Sequence, residues 1–145
     1  MYTHHVDLIY DFCNKSHINK FSINNNGSVN IYETVYIRTP MTKLPFEFNY
    51  VLGDFDVAGI GLESLIGFPK TIHGTLIMSY NNIRSLVGLP LEIRDDLITH
   101  RNPIIKDLLN FEILNNTIFR HLIIDDDFNK IFIRHNAINK ILRNE

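Results

Sequence analysis

"GDFDVAGIGLESLIGFP" (Gly53–Pro69) is followed by "GTLIMSYNNIRSLVGLP" (Gly74–Pro90), and the second stretch restates the first position by position. Gly53, Gly74 and Asp95 stand 21 residues apart. Behind them, in step, come Phe55, Leu76 and Leu97, then Val57, Met78 and Thr99, then Leu62, Ile83 and Ile104. Leu65 matches Leu86, Gly67 matches Gly88, Pro69 matches Pro90 and Ile72 matches Ile93. A fixed period of this length marks a chain built from stacked units, each too small to bury its own apolar edge.

Within a unit, an apolar residue, any residue, then an apolar residue is the period-two pattern of a short strand with one buried face. Asn81 and Asn102 follow the strand, where a side-chain amide can satisfy backbone groups that a tight bend leaves unpaired. Ile83 and Leu86 return to the core, and Gly88 with Pro90 mark the next bend. Two positions depart from the pattern: Ile60 stands where Asn is expected, and Thr99 faces the core in an apolar column. Asp95 at the glycine position is compatible with a turn that needs no positive φ.

"LIMSYNNIRSL" resembles the core of the leucine-rich repeat, in which strand, Asn turn and apolar return recur. The 21-residue spacing and the "GLP" element resemble the short bacterial and phage-type repeats of that family. The resemblance implies an α/β, β-rich fold, a short right-handed solenoid of leucine-rich-repeat type with short helical or irregular outer segments. It also implies a surface that binds another protein.

Working outward, "IFIRHNAINKIL" (Ile131–Leu142) superposes on "LIMSYNNIRSLV" without a gap, so a terminal coil is expected over 131–145. "VYIRTPMTKLP" reads as a degenerate first coil with Pro40 in place of the Asn and a slip of one residue; regular coils then span 35–104. The segment 105–130 fits either one irregular coil or a short helix plus a strand. Residues 1–34 read as an N-terminal cap of a single domain spanning 1–145. In it Val6, Ile9, Tyr10 and Cys13 lie at helical spacing, "NNNG" (Asn24–Gly27) is a turn, and "SVNIYETVYI" is a candidate hairpin over the open end.

Composition narrows the function. A net charge of −2 and pI of about 6.4 give no footprint for nucleic acid or an anionic membrane. No apolar run reaches the roughly 18 residues of a membrane helix, so a soluble, cytoplasmic protein is expected. Cys13 alone excludes an internal disulfide framework and reads as a buried apolar filler. There are 22 Ile and 17 Asn against two Ala, a bias that matches AT-rich codons. It suggests a phage or viral source, hence the cytoplasm of a host cell.

Seven histidines raise metal and catalytic readings. His4 and His5 lack a matching distant pair of zinc ligands, and Asp125–Asp127 lack the spacing of an EF-hand loop, so no metal is expected. The repeat places His100 and His135 on one strip with Arg101 and Arg134, a set that could act on phosphate as acid and anion clamp. No phosphate loop or nucleophile elbow accompanies them, so neither cofactor nor catalysis is expected.

What remains is the outward side of the strands, expected to be the concave face. Its middle column is Tyr36, Asp56, Ile77, Ile98 and Phe132; the next is Arg38, Ala58, Ser79, His100 and Arg134; the third is Thr39, Gly59, Tyr80, Arg101 and His135. Ile77, Ile98 and Phe132 point away from the core beside Tyr and Arg anchors, which is the makeup of a protein interface. At about 100 Å² each, burying the isoleucines contributes on the order of 2–3 kcal/mol per residue before ordering costs. The expected function is a non-catalytic binding module that captures another protein, for a phage or virus a host defence or regulatory protein. A structural homo-oligomer and a small phosphate-handling enzyme are the alternatives.

Overall fold

A computed structural model describes residues 2–143. The chain forms a β-solenoid of about five turns with coils about 21 residues apart. It opens with helix α1 (Tyr2–Lys15) and a hairpin of β1 (Phe21–Ile23) and β2 (Val29–Ile31). Seven further strands, two to a coil, follow as β3 (Val35–Tyr36), β4 (Phe48–Val51), β5 (Phe55–Asp56), β6 (Thr71–Ile72), β7 (Leu76–Ile77), β8 (Glu92–Ile93) and β9 (Leu97–Ile98). The last elements are α2 (Leu108–Asn116), β10 (Leu122–Ile123) and α3 (Asp126–Leu142).

Two sheets result, in the orders β1-β2-β4-β6-β8 and β3-β5-β7-β9-β10, and all pairings after the first hairpin are parallel. The outer segments, expected to be helical or irregular, instead carry this first sheet through Thr71–Ile72 and Glu92–Ile93. The register explains the period. Phe55 pairs with Leu76 and Leu76 with Leu97, at the 21-residue step. Val35 pairs with Phe55 one residue short of it, which is the slip at the first coil. Leu97 pairs with Leu122, because α2 lengthens that coil.

Like side chains therefore stack on like. Phe55, Leu76 and Leu97 form one fully buried column and Val51, Ile72 and Ile93 another, with Leu62, Ile83, Leu65 and Leu86 closing the interior. At the first end, Ile9, Phe12 and Cys13 of α1 are buried against the coils. Ring contacts run from Phe12 through Phe46 and Phe48 to Phe55 and Phe68, with centroids 5.0–5.6 Å apart along the chain. Burial, reinforced by the charge of Glu33, pushes the Cys13 thiol up to about 11, which leaves it an inert filler. Nε2 of His5 lies 2.9 Å from the Gly27 carbonyl and so ties α1 to the "NNNG" turn.

The expected hairpin "SVNIYETVYI" is a corner: β2 and β3 belong to different sheets, and the hairpin partner of β2 is β1. The expected terminal coil is α3, a helix over Asp126–Leu142, and residues 144 and 145 lie outside the described residues. Its Ile131/Ile133 alternation mimics a strand, but Phe128 and Phe132 at helical spacing are the residues that reach the core. They pack on Phe111 of α2, at 5.5 and 5.7 Å between ring centroids, and close the far end of the array.

Asn ladders hold the bends. Oδ1 of Asn81 accepts from the backbone N–H groups of Ile60, Gly61 and Leu62 at 3.0–3.1 Å, and its Nδ2 donates to the carbonyls of Val57 and Met78 at 3.0 Å. Asn102 does the same one coil on, accepting from Ile83 and donating to Met78, and Asn110 of α2 serves a second bend of that coil by accepting from Leu86. Each Asn thus serves the coil before its own. This accounts for Ile60: the bend that an Asn there would serve contains Pro40, which has no N–H to satisfy, and Met41 donates to the Ile60 carbonyl. Thr99 is accounted for as well, since its buried hydroxyl accepts from Asn102 at 3.3 Å. None of Gly53, Gly74 and Asp95 has a positive φ, so the aspartate fits its turn.

Candidate functional site: the open face of the second sheet

Strand alternation turns Tyr36, Asp56, Ile77, Ile98 and Ile123 outward on the second sheet, in register across five strands. Parallel strands lie about 4.8 Å apart, so the three isoleucines form one continuous apolar strip roughly 10 Å long. Ile77 and Ile98 are half-buried and Ile123 is 45% exposed. Ile123 takes the place expected for Phe132. The longer α2 coil breaks the 21-residue count, and only the "LI" pair at Leu122–Ile123, matching Leu97–Ile98, signals the correct partner.

Three expected members leave the strip with α3. Phe132 is buried beneath the helix, Arg134 is exposed on it, and His135 stacks on Phe111 at 4.9 Å while bonding Asn139 at 2.9 Å. His100 and Arg101 remain at the end of β9, so the strip does not hold the His100/His135 pair that the gapless alignment predicts. Ser79 is only 2% exposed and Asp56 is also buried. Neither presents an open contact surface.

The edges of the strip are fixed by polar groups. At one end Arg38 grips Asp56 with two parallel bonds, 3.1 and 2.9 Å, and its guanidinium lies 5.7 Å from the Tyr36 ring centre. Along the entry side Thr34, Asp54, Thr75, Asp96 and His121 form a cross-coil ladder. Asp54 N–H donates to Thr34, Thr75 N–H to Asp54 at 2.8 Å, and Asp96 N–H to Thr75, while Nδ1 of His121 meets Asp96 at 2.9 Å. On the exit side Tyr80 packs edge-on against His100 at 5.2 Å, and Arg101 is exposed.

Gly59, Tyr80 and Arg101 occupy equivalent places, and all three are left-handed, with φ of 66°, 60° and 61°. Glycine is the low-cost choice there, and a bulky side chain costs about 1 kcal/mol. Tyr80 and Arg101 are nonetheless kept at that position with their side chains in solvent. The Arg101 N–H is held by both carboxylate oxygens of Asp125 at 3.0 Å.

Ser79, His100 and Asp125 fall on successive coils and superficially suggest a hydrolytic triad. Ser79 Oγ is 3.2 Å from Nδ1 of His100, but the hydroxyl is buried and the Asp125 carboxylate is engaged by Arg101 N–H. The contact fastens two coils together.

Two carboxyl groups sit below their usual range. For Asp56, burial works to raise the value, but the Arg38 hydrogen bonds, the Ala58 N–H and the Arg38 charge outweigh it. For Asp96 the His121 hydrogen bond leads, aided by Arg120. A carboxyl depressed on folding stabilises above its unfolded pKa of about 3.9, and that stability is lost as pH falls through the folded value. The melting-temperature gap between wild type and Asp56→Asn is therefore expected to be largest near pH 7 and to close toward pH 3, read by thermal scans at stepped pH.

The first sheet offers a different surface, a shallow hollow of about 370 Å³ lined by Tyr50, Leu52, Thr71, His73, Glu92 and Arg94. Among the described residues no helix is long and apolar enough to cross a membrane. Compared with known proteins, the chain matches no family model, no curated protein and no solved structure.

Proposed function

We propose that this chain is a non-catalytic binding module of the leucine-rich-repeat kind that takes another protein on the open face of its second sheet. The observation that carries this reading is the strip of Ile77, Ile98 and Ile123, flanked by Tyr80 and Arg101 in left-handed positions. None of these five outward side chains belongs to the buried core. Apolar centre, aromatic and arginine anchors and a polar rim are the parts of a protein interface. Because Ile77 and Ile98 are half-buried already, covering the strip contributes on the order of 1–2 kcal/mol per isoleucine. Tyr80 and Arg101 then supply the specificity. The Asn ladder and the 21-residue step support the repeat type, while the first sheet, on the outer side of the coils, departs from a helical outer side. The Ile- and Asn-rich composition supports a phage or viral protein that captures a host protein in the cytoplasm.

The test is capture by the full chain from extract of the native host, with Ile98→Glu and Tyr80→Ala variants compared at unchanged melting temperature. Loss of the wild-type partner by tenfold or more in both variants is expected. Undiminished capture by the two folded variants would show that the partner sits elsewhere.

A further inference from the structure

We propose that the hollow on the face of the first sheet binds one pyranose ring of a neutral saccharide. Val51, Ile72 and Ile93 are fully buried and in register, so their chain neighbours on either side turn outward. Three rungs of two side chains result: Tyr50 with Leu52, Thr71 with His73, and Glu92 with Arg94. These six line the hollow of about 370 Å³. It is a hollow because the middle rung sets the small Thr71 between the longer Tyr50 and Glu92.

Size admits one ring. At about 4.8 Å between strands and about 3.3 Å per residue, the rungs span a floor of roughly 10 by 7 Å, the footprint of a six-membered ring with its hydroxyls. The volume lies at the lower end for small-molecule sites, roughly 300–1,000 Å³. One end is aromatic and held in place. Tyr50 donates its hydroxyl to that of Tyr32 at 3.2 Å, the Tyr32 hydroxyl lies 2.7 Å from Ser22 Oγ, and the two rings meet edge-on at 5.9 Å. The His73 ring stands 6.4 Å from that of Tyr50, tilted by 34°, and Leu52 completes the apolar end. An aromatic face carries partial negative charge, which the C–H groups on one face of a sugar ring meet.

The opposite end selects hydroxyl groups. Glu92 Oε1 and Arg94 Nε are 3.5 Å apart, and among the described residues neither side chain has another hydrogen bond or ion pair. Carboxylate and guanidinium sum to no charge, so the pair favours neither an anion nor a cation. A zwitterion would have to open the pair to meet both charges. Adjacent hydroxyls of a sugar need not, since the second carboxylate oxygen accepts from them and the guanidinium Nη groups donate to them. Thr71 adds a central hydroxyl that serves as donor or acceptor. A neutral saccharide is the ligand class that joins an apolar ring face to a rim of donors and acceptors. The proposal stands apart from the protein-binding reading, since it uses none of Ile77, Ile98 and Ile123.

Amide NMR of the full chain tests it, with the methyl glycosides of glucose, galactose, mannose and N-acetylglucosamine as probes. For a ligand of this size in an open hollow, a Kd of about 1–10 mM is expected for at least one of them. The shifted amides are expected to centre on Tyr50, Thr71, His73 and Arg94. Thr71→Tyr, which fills the hollow, and Tyr50→Ala are each expected to weaken binding about tenfold or more at unchanged melting temperature. Ile98→Glu, on the other sheet, is expected to leave it unchanged. No saturation by any of the four at about 100 mM, shifts centred elsewhere, undiminished binding by folded Thr71→Tyr, or tighter binding of inorganic phosphate or of phenylalanine overturns the proposal.

Discussion

Asn81→Ala is expected to lower the stability of the chain by about 4–6 kcal/mol, a large share of the roughly 7–15 kcal/mol that a domain of this size has at its disposal. The side chain is buried and every one of its polar atoms is used: three N–H groups converge on Oδ1, and Nδ2 reaches carbonyls on two coils. Truncation strands these groups where water cannot reach them, at about 1–3 kcal/mol for each one left unpaired. Asn81→Asp separates the two roles, since the carboxylate keeps the acceptor and loses the donors; about 3 kcal/mol is expected of it. Asn102→Ala should lie near the same value, because Asn102 accepts from one N–H, that of Ile83. Urea unfolding of the three variants checks the ranking, and an Asn81→Ala loss below about 1 kcal/mol is incompatible with the ladder.

Gly88→Ala is the second large effect, with about 3 kcal/mol of destabilisation expected. Gly88 has φ of 98°, a region L side chains rarely enter, and a Cβ there would sit 2.7 Å from the Leu65 carbonyl oxygen of the preceding coil. Gly67 repeats the geometry one coil earlier, 2.7 Å from the Phe46 carbonyl oxygen. The close approach is a consequence of stacking, because each glycine bend nests against the backbone of the coil before it. Gly59 is the internal control. Its φ is 66°, but nothing lies within 4 Å of the added Cβ, and the same place holds Tyr and Arg in the next two coils. Gly59→Ala is expected to cost only about 1 kcal/mol, so the difference between the two alanine variants isolates the steric part.

These positions show why the coils were legible in sequence. A residue that must satisfy the bend of a neighbouring coil, or let its backbone approach, is constrained in identity, so Asn81 and Asn102, or Gly67 and Gly88, recur as the same letter. The outer strands were less visible because Thr71–Ile72 and Glu92–Ile93 are two residues long, too short for alternation to declare itself. At the C-terminus, alignment to a repeat outweighed helical spacing. Phe128, Phe132, His135 and Asn139 recur at intervals of four, three and four, and Asp126 and Asp127 suit the positive end of a helix dipole. That pattern was available and points to a helix. The 21-residue count places Ile77, Tyr80, Ile98 and Arg101 along the second sheet, which is where they lie. It failed at Ile123, hidden behind the longer α2 coil, and at Asp56 and Ser79. Alternation turns those two outward, but Arg38 covers the first and the hydrogen bond to His100 engages the second.

The claim that the isoleucine strip is the binding surface is tested most directly by position-specific cross-linking. A benzophenone side chain is placed at Ile98, and in a separate protein at His73 in the hollow of the opposite sheet, and each chain is irradiated in extract of the cells in which the protein is naturally made. A cross-linked partner from position 98 and none from position 73 is the result expected of a module that binds through its second sheet. Cross-linking from position 73 with none from position 98 would contradict it.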